Sequence, residues 1–379
     1  MNSLAKLQQF GQKFWLDELS RDMLEEGVIS RHIQDNALAG ITTNPAIFQN
    51  SISHSQRYDG DIAGGLRRDL DSESIFQALA IEDVTTACDT LRPLYEQTDG
   101  LDGYVSLEVS PRFAYDKEAT LQQAQDLWNR VDRPNLYIKV PGTPQGLEAV
   151  EELIYRGINV NITLLFGLQA YRETHLTHIR ALERRLADGL GLERVSSVAS
   201  FFLSRIDVAV DEQLERMAAA PFPEAEKETA RQLMGKTAVA YAKLAYRDFQ
   251  EIISSERWGE LDQRGARPQR IVWASTGTKN PDYSDVMYID PLIGDHTIST
   301  IPSKTANAFN DHGNPGRSIE EGFDEARAII DQLGPLGIDI EVITQRLVEE
   351  GVDKFISAYD RLLDDIRGKQ DQLIAAVND

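Results

Sequence analysis

At 379 residues and 41% hydrophobic side chains, the chain can bury a large core, which excludes disorder as a global description. Its formal charge of −22 excludes the basic surface that non-specific nucleic-acid binding or adhesion to an anionic membrane needs, and obliges any anionic metabolite to be held by a local cluster of Arg, Lys and backbone N–H groups. The single Cys88 excludes an internal disulfide framework and fits a reduced, cytoplasmic setting, while the lack of 18 uninterrupted apolar residues and of an apolar h-region in Met1 to Phe10 argues against export or membrane insertion.

Short apolar or β-branched runs alternate with longer segments of helical period, the pattern of βα units around a parallel sheet. The spacing predicts strands at 14–19, 40–44, 104–109, 136–140, 158–164, 195–202, 270–275 and 297–301. Eight such runs make a single α/β domain over 1–379, a (β/α)8 TIM barrel, the expected architecture. Between the third and fourth runs, Leu121, Ala124, Leu127 and Trp128 recur at helical spacing within 110–131. Residues 203–269 are too long for one crossover and read as two helices, 204–219 and 224–256, the second opening after Pro221-Phe222-Pro223. A Gly-rich return follows near Gly265, and 311–317 is a polar loop. C-terminal helices are expected over 318–379. The first opens on a capping box, Ser318-Ile319-Glu320-Glu321, and carries the stripe Ile319, Phe323, Ala326 and Ile330 up to Gly334-Pro335. The last, 352–376, carries Phe355, Tyr359, Leu362 and Ile366 on one face and should pack against the barrel wall.

Lys139, in Leu136-Tyr137-Ile138-Lys139-Val140-Pro141, stands in the middle of a run that reads as a buried strand. It is the only one of 11 lysines inside a strand-like segment bounded by turn residues. A buried ammonium is costly unless paired, so such a lysine tends to lose its proton and become a nucleophile; the bland alternative is a strand end whose lysine snorkels to water.

In a barrel of this kind chemistry sits at the C-terminal ends of the strands, so polar residues late in each run carry weight. They are Asp17, Asn44, Glu108, Asn161 with Thr163 two residues on, Ser200 followed by Arg205, and Ser275. Taken singly, Asp17 could be a helix N-cap, Asn44 a turn residue, Glu108 a partner for a surface arginine and Ser200 a core hydroxyl. Taken together around a buried amine, they describe a site for carbonyl chemistry on a sugar-like substrate. An amine that attacks a ketone yields an iminium, an electron sink for breaking the adjacent C–C bond. Glu108, on the preceding strand, is the nearest acid/base for dehydration, and Asp17 is the best-placed base for the hydroxyl. Other chemistries lack support. His175 and His178 have no third ligand to complete a metal site; Gly277-Thr278-Lys279 lacks the upstream glycine spacing of a phosphate loop; no G-x-G-x-x-G occurs; and Glu148, Glu151 and Glu152 read as a solvated helix face.

Gly40-Ile41-Thr42-Thr43-Asn44-Pro45-Ala46-Ile47-Phe48 and Ile138-Lys139-Val140-Pro141 resemble the two hallmark motifs of transaldolases, most of all the longer bacterial ones, and the similarity runs on through 158–166, 198–207 and 273–281. The resemblance implies a (β/α)8 barrel working without a cofactor or metal. It implies Lys139 as the Schiff-base lysine, Glu108 as the acid/base acting through a water, Asp17 as the general acid/base for C–C cleavage, and Thr163 as a holder of that water. Asn44, Asn161 and Ser200 are implied as contacts of the dihydroxyacetone unit, and Arg205 and Ser275 as the phosphate site. Where shorter transaldolases have an arginine two residues after this serine, the chain has Gly277, and Lys279 is expected to supply the charge. The implied reaction is that of the pentose phosphate pathway. A three-carbon unit passes from sedoheptulose 7-phosphate or fructose 6-phosphate to glyceraldehyde 3-phosphate or erythrose 4-phosphate. Partners are therefore phosphorylated ketoses and aldoses, with a homodimer open. The rivals are a fructose 6-phosphate aldolase, which Phe202 disfavours because those aldolases usually carry tyrosine there, and an inactive sugar-phosphate binding module.

Overall fold

In the computed structural model, which describes residues 1–219 and 221–378, eight parallel strands close into a barrel in the order β1 to β8. They are β1 Gln12–Leu16, β2 Leu38–Ile41, β3 Tyr104–Glu108, β4 Leu136–Pro141, β5 Val160–Leu165, β6 Ser197–Phe202, β7 Arg270–Ala274 and β8 Thr297–Ile301, with β1 pairing β8 to complete the ring. Ala220 and Asp379, within spans expected above, lie outside the described residues. Every expected run overlaps a strand, and helices surround the barrel.

The boundaries move for local reasons. Gly11, at φ +81°, turns the chain into β1 two residues earlier than expected, and a Cβ there would lie 2.0 Å from Asp295 Oδ1. Lys13 is consequently a second strand lysine, which corrects the expectation that Lys139 is alone. β2 stops at Ile41 because Asn44 caps the helix Pro45–His54, its Oδ1 accepting from Ile47 N at 3.0 Å. The long crossover between β2 and β3 contains a 26-residue helix, Ser72–Gln97.

Two other expectations are overturned. Among the described residues the insertion after β6 holds four helices, not two: Ser204–Ala219, Glu224–Leu233, Thr237–Ile253 and Glu256–Asp262. The predicted 224–256 helix breaks at Gly235 (φ +68°), whose N–H is captured by the Asp211 carboxylate at 3.0 Å, and again at Ser255, which caps the next helix through Trp258 N. The capping box at Ser318 does not form. Its hydroxyl donates to Asp290 O (2.5 Å) and accepts from Ile293 N (3.2 Å), so the helix begins only at Phe323, after Gly322 at φ +69°. The 110–131 helix opens as a short turn, Pro111–Phe113, and becomes regular at Lys117–Val131 under an Asp116 cap.

Inside the barrel the inward-facing residues form three storeys. At the N-terminal end of the strands, buried Asp102 receives Lys13 (3.0 Å) and Arg270 (2.9 Å). Burial alone would raise its carboxyl; the two cations override this and hold it below the usual range. The middle storey is apolar and aromatic, with Trp15, Tyr104, Tyr137, Val198, Val272 and Ile298 packed as one cluster. Tyr104 stacks on Tyr137 with centroids 4.2 Å apart. Gly40 belongs to this layer: a Cβ would stand 2.5 Å from the Trp15 indole. The top storey is polar.

Above it runs the last helix, Ile340–Asn378, longer than expected. It packs against helices of the barrel wall, as expected, Tyr359 meeting Phe76 edge to face, and it also crosses the mouth, with Phe355 near Lys139. One side is tied at Gly167, where a Cβ would meet Thr344 Oγ1 at 2.9 Å, and by Tyr241, which donates to Glu341. The other is tied by Tyr359 to Glu73 (2.8 Å), Gln49 to Asp365 (2.7 Å) and Lys369 to Asp59 (2.7 Å).

Candidate active site

Alternation along the strands carries the site. Tyr137 and Lys139 share a face of β4, as do Tyr104, Ser106 and Glu108 on β3, so these two strands fill the aromatic storey and raise polar groups above it, and Asn161 and Thr163 share a face of β5. In the ladder Glu108 is opposite Lys139, and Lys139 opposite Asn161. Three polar residues are thus neighbours by register alone.

Lys139 is 4% exposed, and its Nζ lies 3.3 Å from Glu108 Oε2 and donates to Thr43 O at 3.0 Å. Glu108 Oε1 has no hydrogen-bond partner among the described residues, nor does the Thr163 hydroxyl. Burial raises the Glu108 carboxyl, Lys139 pulls it back and Asp17 adds a push, leaving it at about 7. A carboxyl so poised exchanges protons readily near neutrality. Instead of pairing a surface arginine, Glu108 pairs the lysine.

Asp17 follows β1 directly and is not a cap; Ser20 caps the next helix. Its Oδ1 accepts from Thr42 Oγ1 at 2.8 Å, and Thr42 also meets Thr300 Oγ1 at 2.6 Å. Asp17 borders the cavity yet is ringed by protein. Burial raises its carboxyl above the usual value, and the opposing pull of Lys139 and of the Thr42 hydrogen bond does not cancel this. In the Thr42-Thr43-Asn44-Pro45 turn the first three residues each have a use, and Pro45 opens the helix. Thr42 holds Asp17, the Thr43 carbonyl receives Lys139 while its hydroxyl donates to Ser106 O (2.7 Å), and Asn44 both caps its helix and borders the cavity. Ser200 donates to Asn161 Oδ1 (2.7 Å), and Asn161 Nδ2 donates to Ser106 Oγ (3.0 Å), which fixes the orientation of the Asn161 amide. Ser200 is thus bonded to a side chain, not to backbone.

Further out the site becomes cationic. Arg205, in the first turn of Ser204–Ala219, lies between the rings of Phe202 (5.4 Å to the centroid) and Phe355 (5.9 Å). Its Nη1 is buried without a partner among the described residues, and burial lowers its guanidinium from the usual value. Ser275 is held at φ +55°, a left-handed conformation rare for a residue with a side chain, and its hydroxyl lies 2.8 Å from Ser204 Oγ. Lys279 makes no ion pair with any described residue, and its Nζ curls back to 4.0 Å from where a Cβ on Gly277 would stand. These residues, Lys139, Asp17, Asn44, Thr163 and Ser200 border one cavity of about 190 Å³.

The structure thus brings every predicted site residue to one end of the barrel. The sequence reading missed Thr42, Thr300, Ser106 and Phe355. The first three follow the same alternation rule and could have been found by it. Phe355 could not, because its stripe on the last helix looks like an ordinary core face. His175 and His178 stay apart, as buried rings among Tyr171, Phe249 and Trp258, where burial lowers them to about 3 and about 4. Among the described residues no group of three or more His, Cys, Asp or Glu is arranged to hold a metal, and no helix is long and apolar enough to cross a membrane.

Residues 14–366 match the family described as Transaldolase/Fructose-6-phosphate aldolase. Similar relatives include a Transaldolase of Thiobacillus denitrificans, 45% identical over 96% of this chain and 99% of the relative. A Transaldolase 2 of a Nostoc species is 42% identical over 97% and 98%, and a Transaldolase of Mycobacterium tuberculosis is 42% identical over 97% of each chain.

Proposed function

Since the chain belongs to the transaldolase/fructose-6-phosphate aldolase family and is a transaldolase, a transferase, we propose that its three-carbon transfer runs through a Schiff base on Lys139. The observation that carries this is the contact of Lys139 Nζ with Glu108 at 3.3 Å inside the polar storey. Ionised Glu108 takes the ammonium proton, and the freed amine attacks the ketose carbonyl at C2. The carbinolamine loses hydroxide as water, protonated by Glu108 through a water held by Thr163; both have a buried oxygen free of protein partners among the described residues. Asp17 takes the proton of the C4 hydroxyl, the C3–C4 bond breaks, and its electrons flow into the iminium to give an enamine. The enamine carbon then attacks the acceptor aldehyde, whose oxygen takes the proton back from Asp17, and hydrolysis frees Lys139.

Asn44, Asn161 and Ser200 hold the hydroxyls of the dihydroxyacetone unit. Arg205, Ser275 and Lys279 hold the phosphate, helped by the N-terminus of Ser204–Ala219. In support of Lys279 standing in for the arginine that Gly277 replaces, its ammonium hangs over that glycine. The donors are sedoheptulose 7-phosphate and fructose 6-phosphate, and the acceptors glyceraldehyde 3-phosphate and erythrose 4-phosphate. The reading sets the enzyme in the cytoplasm. Phe202 at the cavity, where related aldolases carry tyrosine, favours transfer over release to water.

Borohydride reduction in the presence of fructose 6-phosphate, followed by peptide mass spectrometry, tests the reading. A dihydroxyacetone-sized adduct on Lys139, absent in Lys139→Arg, is expected. No adduct on folded protein would reject it.

A further inference from the structure

Most side chains lining the cavity are polar, as a polyol site requires, but Phe202, Ala274, Pro302 and Phe355 are not, and Phe355 stands beside the lysine. Phe355 is 5% exposed, and its ring centroid lies 5.8 Å from Lys139 Nζ and 5.9 Å from the Arg205 guanidinium carbon. A phenyl ring offers no hydrogen bond to a hydroxyl. It offers volume that water cannot occupy. Its position is also enforced. One turn before it, Gly351 faces the barrel, and a Cβ there would lie 3.0 Å from Leu164 Cδ2 and 3.6 Å from Arg205 Nη1. Leu164 is itself strained, at φ +60°, beside the irregularity in the β5–β6 ladder. The glycine lets the helix settle onto the barrel rim, and Phe355 at i+4 then reaches inward. Ties on both sides of the mouth, described above, make this a fixed roof.

We propose that Phe355 shields the Lys139-bound enamine from water and so commits the three-carbon unit to transfer; this rests on the Schiff-base reading above. Between departure of the first aldose phosphate and arrival of the second, the enamine has two outlets. In transfer its nucleophilic carbon forms a bond to the acceptor carbonyl carbon, and the carbonyl oxygen takes a proton. In release the same carbon takes a proton derived from water, and a second water hydrolyses the iminium to dihydroxyacetone and the free lysine. The second outlet needs water over the face that Phe355 covers.

The test uses Phe355→Ala and Phe355→Leu with fructose 6-phosphate. Dihydroxyacetone release without acceptor, followed in D2O by deuterium incorporation, is compared with transfer to erythrose 4-phosphate. The ratio of release to transfer should rise at least about tenfold in Phe355→Ala and less in Phe355→Leu, with the borohydride adduct on Lys139 retained in both. An unchanged ratio, with both rates falling together, would reduce Phe355 to a packing residue and overturn the proposal, as would loss of the adduct in the variants alone. Were Phe355→Ala unable to fold, Phe355→Leu and Gly351→Ala, which lifts the helix, carry the test with the same expected rise. Absence of the adduct in the unaltered enzyme would instead reject the Lys139 reading itself.

Discussion

Replacing Glu108 by Gln removes the carboxyl that touches Lys139 and leaves a side chain of similar shape that cannot titrate. With the Glu108 carboxyl at about 7, roughly one molecule in ten is ionised at about pH 6. If ionised Glu108 must accept the lysine proton, kcat/KM falls about tenfold per pH unit below about 7 and levels off above it. In Glu108→Gln the rate should drop by about 10² to 10⁴, and that inflection should vanish. The phosphate of the substrate titrates near pH 6 as well, so the informative quantity is the ratio of the two enzymes at each pH, in which the substrate's own titration cancels. Glyceraldehyde 3-phosphate formed from fructose 6-phosphate and erythrose 4-phosphate, read through a coupled dehydrogenase between about pH 5.5 and 8.5, gives that ratio. A flat ratio would refute the reasoning. Thermal melts give an independent check. The folded state holds the Glu108 proton more tightly than the unfolded one, so its contribution to stability is present below about pH 4.5 and is lost as pH rises through about 7. The displacement corresponds to about 3 kcal/mol at alkaline pH, a slope that Glu108→Gln should lack.

Arg205→Ala should raise KM for phosphorylated substrates tenfold or more, at about 1.4 kcal/mol per decade, while the borohydride adduct on Lys139 still forms; an unchanged KM rejects Arg205 as a phosphate ligand. Lys279→Ala should shift KM in the same direction by less, and no shift would leave the charge missing at Gly277 without a substitute. Gly40→Ala should destabilise the fold by about 1–3 kcal/mol, since its Cβ would stand 2.5 Å from the Trp15 indole in a filled layer. An unchanged denaturation midpoint would mean that the aromatic storey has slack.

Much of the molecule is legible in the sequence because strands buried on both faces write themselves as continuous apolar runs, as at 136–141. β1 is harder to place, since Gln12 and Lys13 look polar until Leu292 and Asp102, far along the chain, supply their partners. Polar strand ends locate Asp17, Glu108, Asn161, Thr163 and Ser200, because side-chain alternation is a local rule. Distant partners write no local signal. The break at Gly235 depends on Asp211, the fate of Ser318 on Asp290 and Ile293, and the role of Phe355 on a helix that returns over the mouth from the far end of the chain. In each case a tertiary hydrogen bond or contact overrides the local pattern.

The helix across the mouth follows every strand of the barrel in chain order. All eight strands lie before Ile340, so during synthesis the barrel can close on the ribosome before the helix that covers Lys139 has emerged. A nascent chain at that stage has Lys139, Glu108 and Asp17 in place and nothing above them. Only when the helix docks does the Phe355 ring come to lie 5.8 Å from Lys139 Nζ. Barrel closure and the covering of Lys139 are thus separable in time, the second waiting on a helix that follows all eight strands.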